Sequence, residues 1–191
     1  DKVYLKLGSA VLLAATSKTN FDKSVYHFRD KTIFNFSSAS ITRIQIKRNE
    51  HPLDLIREKE VWKVSGKVQA KADKDTVLAF LQAIQFSRVK EFVNEKPDSL
   101  EPFGLSKPTT TLLLKDENKK SYSIDFGVTE KGTYAKKQNA SGIFRVDSKF
   151  LNTLEKRNVD FLLKTLIEFE EKDATEINIQ SEKEIIKTIR L

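Results

Sequence analysis

Two histidines, His27 and His51, are the only side chains of this 191-residue chain that ordinarily titrate near neutral pH. Neither has a second histidine four residues away or carboxylates at a ligand spacing, so no metal centre is expected. Cysteine is absent, which removes disulfides, thiolate ligands and cysteine nucleophiles together. No Gly-x-Ser-x-Gly elbow presents a serine, and the six glycines stand singly rather than in a phosphate-cradling loop. The densest carboxylate stretch, "EFEEKD" at 168–173, reads as a polar connector rather than an acid/base pair. The chemistry legible here is therefore non-enzymatic, with no catalytic residue, no cofactor and no small-molecule substrate expected.

Charge offers a second route to function. Lys and Arg number 34 against 27 Asp and Glu, a formal net charge of +7. The basic residues are scattered: "KRN" at 47–49 and the lysine pairs at 119–120 and 136–137 are separated, and no run of five or six like charges occurs. That pattern is a solvated lysine-rich surface, and nucleic acid is not the expected partner. The alternative is a binding module that holds an anionic polymer or nucleic acid on a basic surface. Phe28, Phe34, Phe36, Phe161 and Phe169 could in principle stack bases, but their recurrence at matching points of the chain favours repeated packing. "AVLLAA" at 10–15 is far shorter than the roughly 18 apolar residues of a membrane span.

The elements that would position any site have clear periodicity. Alternation over "ITRIQIKR" (41–48), "PLDLIRE" (52–58) and "EVWKV" (60–64), with turns at "NEHP" and "EKE", predicts an antiparallel meander anchored by Trp62. In "DKDTVLAFLQAIQ", Val77, Phe80, Leu81 and Ile84 fall at i, i+3, i+4 and i+7, which predicts a helix capped by Asp75 and laid on one sheet face. Strands are expected again at "SRVKEFVN", "TTTLLLKD", "KSYSIDFG", "TYAKK" and "GIFRVD". A short helix capped by Ser148 then buries Phe150, Leu151 and Leu154.

An internal repeat organises these elements. "FRDKTIFNF" (28–36) overlays "FLLKTLIEF" (161–169) with Phe28, Lys31, Thr32 and Phe36 each 133 positions before its match. Ile44 and Ile46 meet Ile177 and Ile179 in the same register, while "YLKLGS" (4–9) overlays "IFRVDS" (143–148) at a shift of 139. The expected organisation is the end of one copy (1–40), a complete unit (41–174) and the start of another (175–191). The fold class is α+β: mainly antiparallel sheets with a few short covering helices.

Between the helix and the later strands lies "PDSLEPFGLSKP" (97–108). It reads as one helical turn: Asp98 caps it, Leu100 and Phe103 turn inward, and Gly104 ends it in a left-handed conformation. Leu105 folds back, and Pro108 stops the turn and launches the next strand. Trp62, Phe103, Gly104, Leu105 and Pro108 are the residues on which the structure is expected to depend.

The order "ITRIQI", "LIREKEVWKV", capped helix, "LEPFGLSKPTTTLLL", "YSIDFG", "TYAKK", "IFRVDS" resembles the bacterial domain of unknown function 4340. The resemblance implies tandem units, often behind an N-terminal membrane anchor and often encoded beside ABC-type transporter genes. It implies no activity, cofactor or catalytic residue. From it follow the expectations of an extracytoplasmic location on a bacterial membrane and of a membrane or envelope protein, such as a transporter component, as partner.

Overall fold

The computed structural model describes residues 2–66, 70–165, 176–180 and 185–189. In chain order come a hairpin of β1 (Val3–Leu7) and β2 (Ala10–Ala14), the single helical turn α1 (Val25–Phe28), and a meander of β3 (Ile41–Arg48), β4 (Leu53–Glu58), β5 (Val61–Val64) and β6 (Ala70–Lys71). Helix α2 (Lys74–Gln85) and β7 (Glu91–Asn94) lead to a second meander of β8 (Thr110–Asp116), β9 (Ser121–Thr129), β10 (Gly132–Lys137) and β11 (Ile143–Val146). After α3 (Ser148–Leu154), a hairpin of β12 (Glu176–Gln180) and β13 (Ile185–Ile189) closes the described chain. Nine strands make one sheet in the order β6-β5-β4-β3-β8-β9-β10-β11-β7, and β1-β2 and β12-β13 are separate two-stranded sheets. All pairings are antiparallel, so the class is α+β with a few short helices.

The two meanders fuse because β3 and β8 both carry apolar residues at alternate positions. Ile44 pairs with Leu114 and Ile46 with Leu112, and all four are fully buried on one face. A shift of one residue in this register would turn those side chains to the other face, so the pattern itself fixes the seam. Leu53 and Leu55 of β4, Trp62 and Val64 of β5, and Ile124 and Phe126 of β9 extend the same apolar face.

Helix α2 leaves the β6 edge and the chain re-enters at β7 on the opposite edge, so this connection traverses the whole sheet. Val77, Phe80, Leu81 and Ile84 are its buried stripe. Its cap is Asp73 rather than Asp75: Asp73 holds extended backbone and accepts from the Thr76 N–H at 2.6 Å, whereas Asp75 already lies in the first turn. A displacement in the same direction, by one residue rather than two, occurs at α3, where Asp147 caps by accepting from the Lys149 N–H at 2.9 Å and Ser148 is the first helical residue. Phe150 and Leu154 of α3 are buried and Leu151 is half-buried. Arg48 secures the end of this helix by donating to the carbonyls of Leu154 (2.6 Å), Lys156 (2.7 Å) and His51 (2.8 Å).

The segment before β3 enters the same core. Ile33, Phe34 and Phe36 are buried, with Phe34 edge-on to Phe150 and Phe36 tilted against Tyr122. Phe80 of α2 meets Phe161 edge-on at 5.2 Å. Offset and edge-on geometries suit the ring quadrupoles, so this chain of aromatic contacts gains over plain area burial.

Both edges of the large sheet carry a covering strap. At β7, Thr32 bridges to Arg88, the Val89 N–H donates to the Lys31 carbonyl, Tyr26 donates to the Lys90 carbonyl, and Arg29 lies 3.6 Å over the Phe92 ring. At β6, Ala72 bridges to Leu162 and the Leu163 N–H donates to the Lys71 carbonyl. Short, strapped edges of this kind resist pairing with another chain.

One expectation of the repeat needs correction. Overlaying "YLKLGS" on "IFRVDS" sets β1, the first strand of a hairpin, on β11, the second strand of one. Strand roles instead place β1 beside β10 at a shift of 130 and β2 beside β11 at 132: Tyr4 pairs with Leu13 as Tyr134 pairs with Arg145, and Leu5 with Leu12 as Ala135 with Phe144. By register the β10–β11 turn is two residues longer than the β1–β2 turn.

Candidate interaction surface

The residues with chemical potential are spent on local structure. The Ser24 backbone N–H donates to His27 Nδ1 at 3.2 Å, with the Ser24 hydroxyl 3.0 Å from the same nitrogen, so the exposed imidazole caps α1. His51 sits in the β3–β4 turn with φ of 52°, immediately before Pro52. Among the described residues no cluster of three His, Asp or Glu side chains is placed to hold a metal. The "EFEEKD" stretch, Phe169 included, falls outside the described residues.

Carboxylates that are engaged act structurally. Arg43 forks onto Asp54, with Nε at 3.0 Å and Nη2 at 2.7 Å from its two oxygens, and this hydrogen bonding raises the guanidinium above its ordinary pKa. Asp116, buried at the end of β8, accepts from the Lys120 N–H at 2.9 Å and from the Tyr122 hydroxyl at 3.2 Å, closing the β8–β9 turn. A cleft of about 450 Å³ between the β3–β4 turn and the segment after α3 is lined by His51, Pro52, Arg157, Asn158 and Val159. It contains no carboxylate beside His51 and so no base–orienter pair.

The corner at 97–108 occupies the sheet face opposite α2. Trp62 is in the main core, whereas Leu105, Tyr134 and Ile143 form a second cluster on this rear face, flanked by Val93, Leu100 and Phe103. Phe103 meets Tyr134 edge-on at 5.3 Å. The turn is 3-10, Glu101–Phe103, and starts from Leu100 rather than Asp98: the Ser99 hydroxyl accepts from the Glu101 N–H at 3.2 Å. Gly104 has φ of 67°, and its N–H donates to the Glu101 carbonyl. Pro108 is exposed and precedes β8, where the Thr109 N–H donates to the Phe126 carbonyl.

A residue that pattern reading passed over fixes this corner to the sheet. A Cβ on Gly127 of β9 would stand 2.3 Å from the Phe103 carbonyl oxygen and 2.6 Å from the Gly104 carbonyl. The backbone of the corner therefore lies directly on the backbone of β9, and only glycine permits that approach. The available signal was a glycine inside an otherwise regular strand, "YSIDFGVT".

What the fold leaves uncovered is concentrated in the first 28 residues. Tyr4, Leu5, Leu7, Val11, Leu12 and Leu13 of the β1–β2 hairpin are exposed, as are Phe21, Val25 and Phe28 after it. Elsewhere among the described residues the exposed large apolar side chains, Val61, Phe86, Val128 and Val159, stand singly. An apolar strand pair with exposed side chains is a surface to which another structure can add. Of the chain's two kinds of strand margin, the strapped edges of the nine-stranded sheet are the weaker candidates for contact.

Compared with known protein families, residues 62–190 match the model described as "Domain of unknown function (DUF4340)". No curated protein and no solved structure matches the chain.

Proposed function

We propose, for a chain that belongs to the DUF4340 family, that it is a non-enzymatic interaction and structural module assembled from tandem units, acting on the extracytoplasmic side of a bacterial membrane as an accessory to a transporter or envelope system. The observation that carries this reading is repeated strand pairing. In β3–β4, Ile44 pairs with Leu55 and Gln45 with Asp54; in β12–β13, each 133 positions later, Ile177 pairs with Thr188 and Asn178 with Lys187. The turns α1 and Asn158–Phe161 stand at the same spacing, and each is closed by its third residue reaching back, His27 to the Ser24 N–H and Asp160 to the Arg157 N–H at 2.7 Å.

Arrays of such units serve by presenting surface, since each unit buries its core against its neighbour and leaves long faces and inter-unit grooves to partners. The exposed apolar hairpin at 3–14 supplies one such face, and the family resemblance supplies a membrane or envelope protein as its partner. Two experiments test the reading. A topology reporter fused to the natural protein in its own bacterium should report from outside the cytoplasm. With the chain as bait on solubilised envelope membranes, a transport component should be enriched over a bait carrying Leu5→Ser and Leu12→Ser; recovery of none, or equal recovery by both baits, removes the proposal.

A further inference from the structure

A cleft of about 280 Å³ lies where the strap before β3 passes the β8–β9 turn and the end of β10. Its polar lining comes from three separate stretches: Asn35 on the strap, Lys120, Ser121 and Ser123 at the start of β9, and Lys137 and Asn139 at the end of β10. Ile33 and Phe34, both buried, complete the wall. No carboxylate lines the cleft.

Among the described residues, neither ammonium reaches a carboxylate within 4.0 Å; the ion pairs of the fold are Arg29–Glu95, Arg43–Asp54, Arg57–Glu117, Lys63–Glu58 and Arg145–Glu91. Lys120 Nζ stands 4.9 Å over the Tyr122 ring, which also lines the cleft. Lys137 is half-buried, and that burial pushes its ammonium below the ordinary lysine value, with the charge of Asp30 opposing the shift only in part. Desolvating a cation without a contacting counter-charge costs stability, and such an arrangement is retained where a bound group supplies the missing charge.

The geometry points to this cleft as a binding site for a small oxyanion, a phosphate or a carboxylate, held between Lys120 and Lys137 with the amides of Asn35 and Asn139 as donors. Its volume is on the order of nine waters at ~30 Å³ each, which suits a small molecule and not a polymer backbone. Two ammoniums on one oxyanion make charge-assisted hydrogen bonds, the strong kind, in a recess that screens them less than open surface does. Its lining spans residues 33–35 and 120–139, which the tandem-unit reading assigns to different units, and it rests on the folded chain rather than on that reading.

The test uses amide NMR spectra of the whole chain, titrated at constant ionic strength with inorganic phosphate in one arm and acetate in the other. Saturating shifts should appear at the amides of residues 35, 120–123 and 137–139. Lys137→Gln should weaken the midpoint by about tenfold, with Asn139→Ala as a second variant that removes a donor and no charge, while Lys63→Gln on the other side of the sheet changes nothing. Affinity should fall as pH rises through the titration of Lys137. Saturation by phosphate alone assigns a phosphorylated ligand, and by acetate alone a carboxylate. Shifts spread over surface lysines, no saturation in either arm, or equal losses in Lys137→Gln and Lys63→Gln overturn the proposal.

Discussion

The hairpins β1–β2 and β10–β11 pair in the same way and end in different environments. Tyr4 is 61% exposed and its counterpart Tyr134 is 7%; Leu12 is 50% and Phe144 is 6%. Phe28, after the first hairpin, is 79% exposed, and Phe161, at the matching place after the second, is 0%. Their local geometry agrees because turn and alternation are short-range properties. Their burial differs because β10–β11 has β9 and β7 on either side and α3 against it, none of which β1–β2 has. A hairpin thus carries its own register but borrows its core.

The sharpest way to break that comparison is to truncate both phenylalanines. Phe161→Ala should lower unfolding free energy by about 3–5 kcal/mol, as large core truncations do, whereas Phe28→Ala should change it by less than ~0.5 kcal/mol. Urea titrations decide it; equal losses would show that Phe28 is already packed.

Glycines sharpen the same contrast at a smaller scale. Gly127→Ala drives a methyl into the Phe103–Gly104 backbone and should cost about 3 kcal/mol, read by the same titration, with loss of the Phe103–Tyr134 contact in the near-ultraviolet spectrum. Gly104→Ala meets both the left-handed backbone and the Val128 backbone at 3.2 Å, and should cost about 1–2 kcal/mol. Gly8, in the β1–β2 turn, has a similar φ of 62° but open space around it. Gly8→Ala should therefore leave the global midpoint in place and speed amide exchange only across residues 3–14.

The smallest effect concerns acid. Hydrogen bonds from Thr76 hold Asp73 below the ordinary aspartate value of 3.8. A carboxyl depressed in the folded state adds stability that is complete above about pH 4 and is lost as pH falls through the folded value. Asp73→Asn keeps the cap and abolishes this increment, so its melting temperature should fall less than that of the parent between pH 4 and pH 2. Parallel acid curves would remove Asp73 as a contributor.

Much of the fold was legible in the residues. The run "ITRIQIKR" coincides with β3, and the i, i+3, i+4, i+7 stripe of α2 is the buried one, because period and burial are tied by geometry. Caps were missed by one or two positions at Asp73 and Asp147. Neighbouring Asp and Ser residues compete for one role, and only the backbone conformation selects among them. The cleft between Lys120 and Lys137 was not visible, since its lining comes from three stretches up to about a hundred residues apart, and the lysine pairs read singly as solvated surface.

By itself the sequence determined the strands and helices, the antiparallel pairing of neighbours, the family, and the absence of thiol chemistry, because each depends on residue types over a few positions. Tertiary structure alone decided that two meanders share one sheet through β3 and β8, that Gly127 lies beneath Gly104, and that one hairpin is core while its counterpart is surface. Those outcomes depend on which distant segment arrives to cover a face, and long-range burial is not written in any local window.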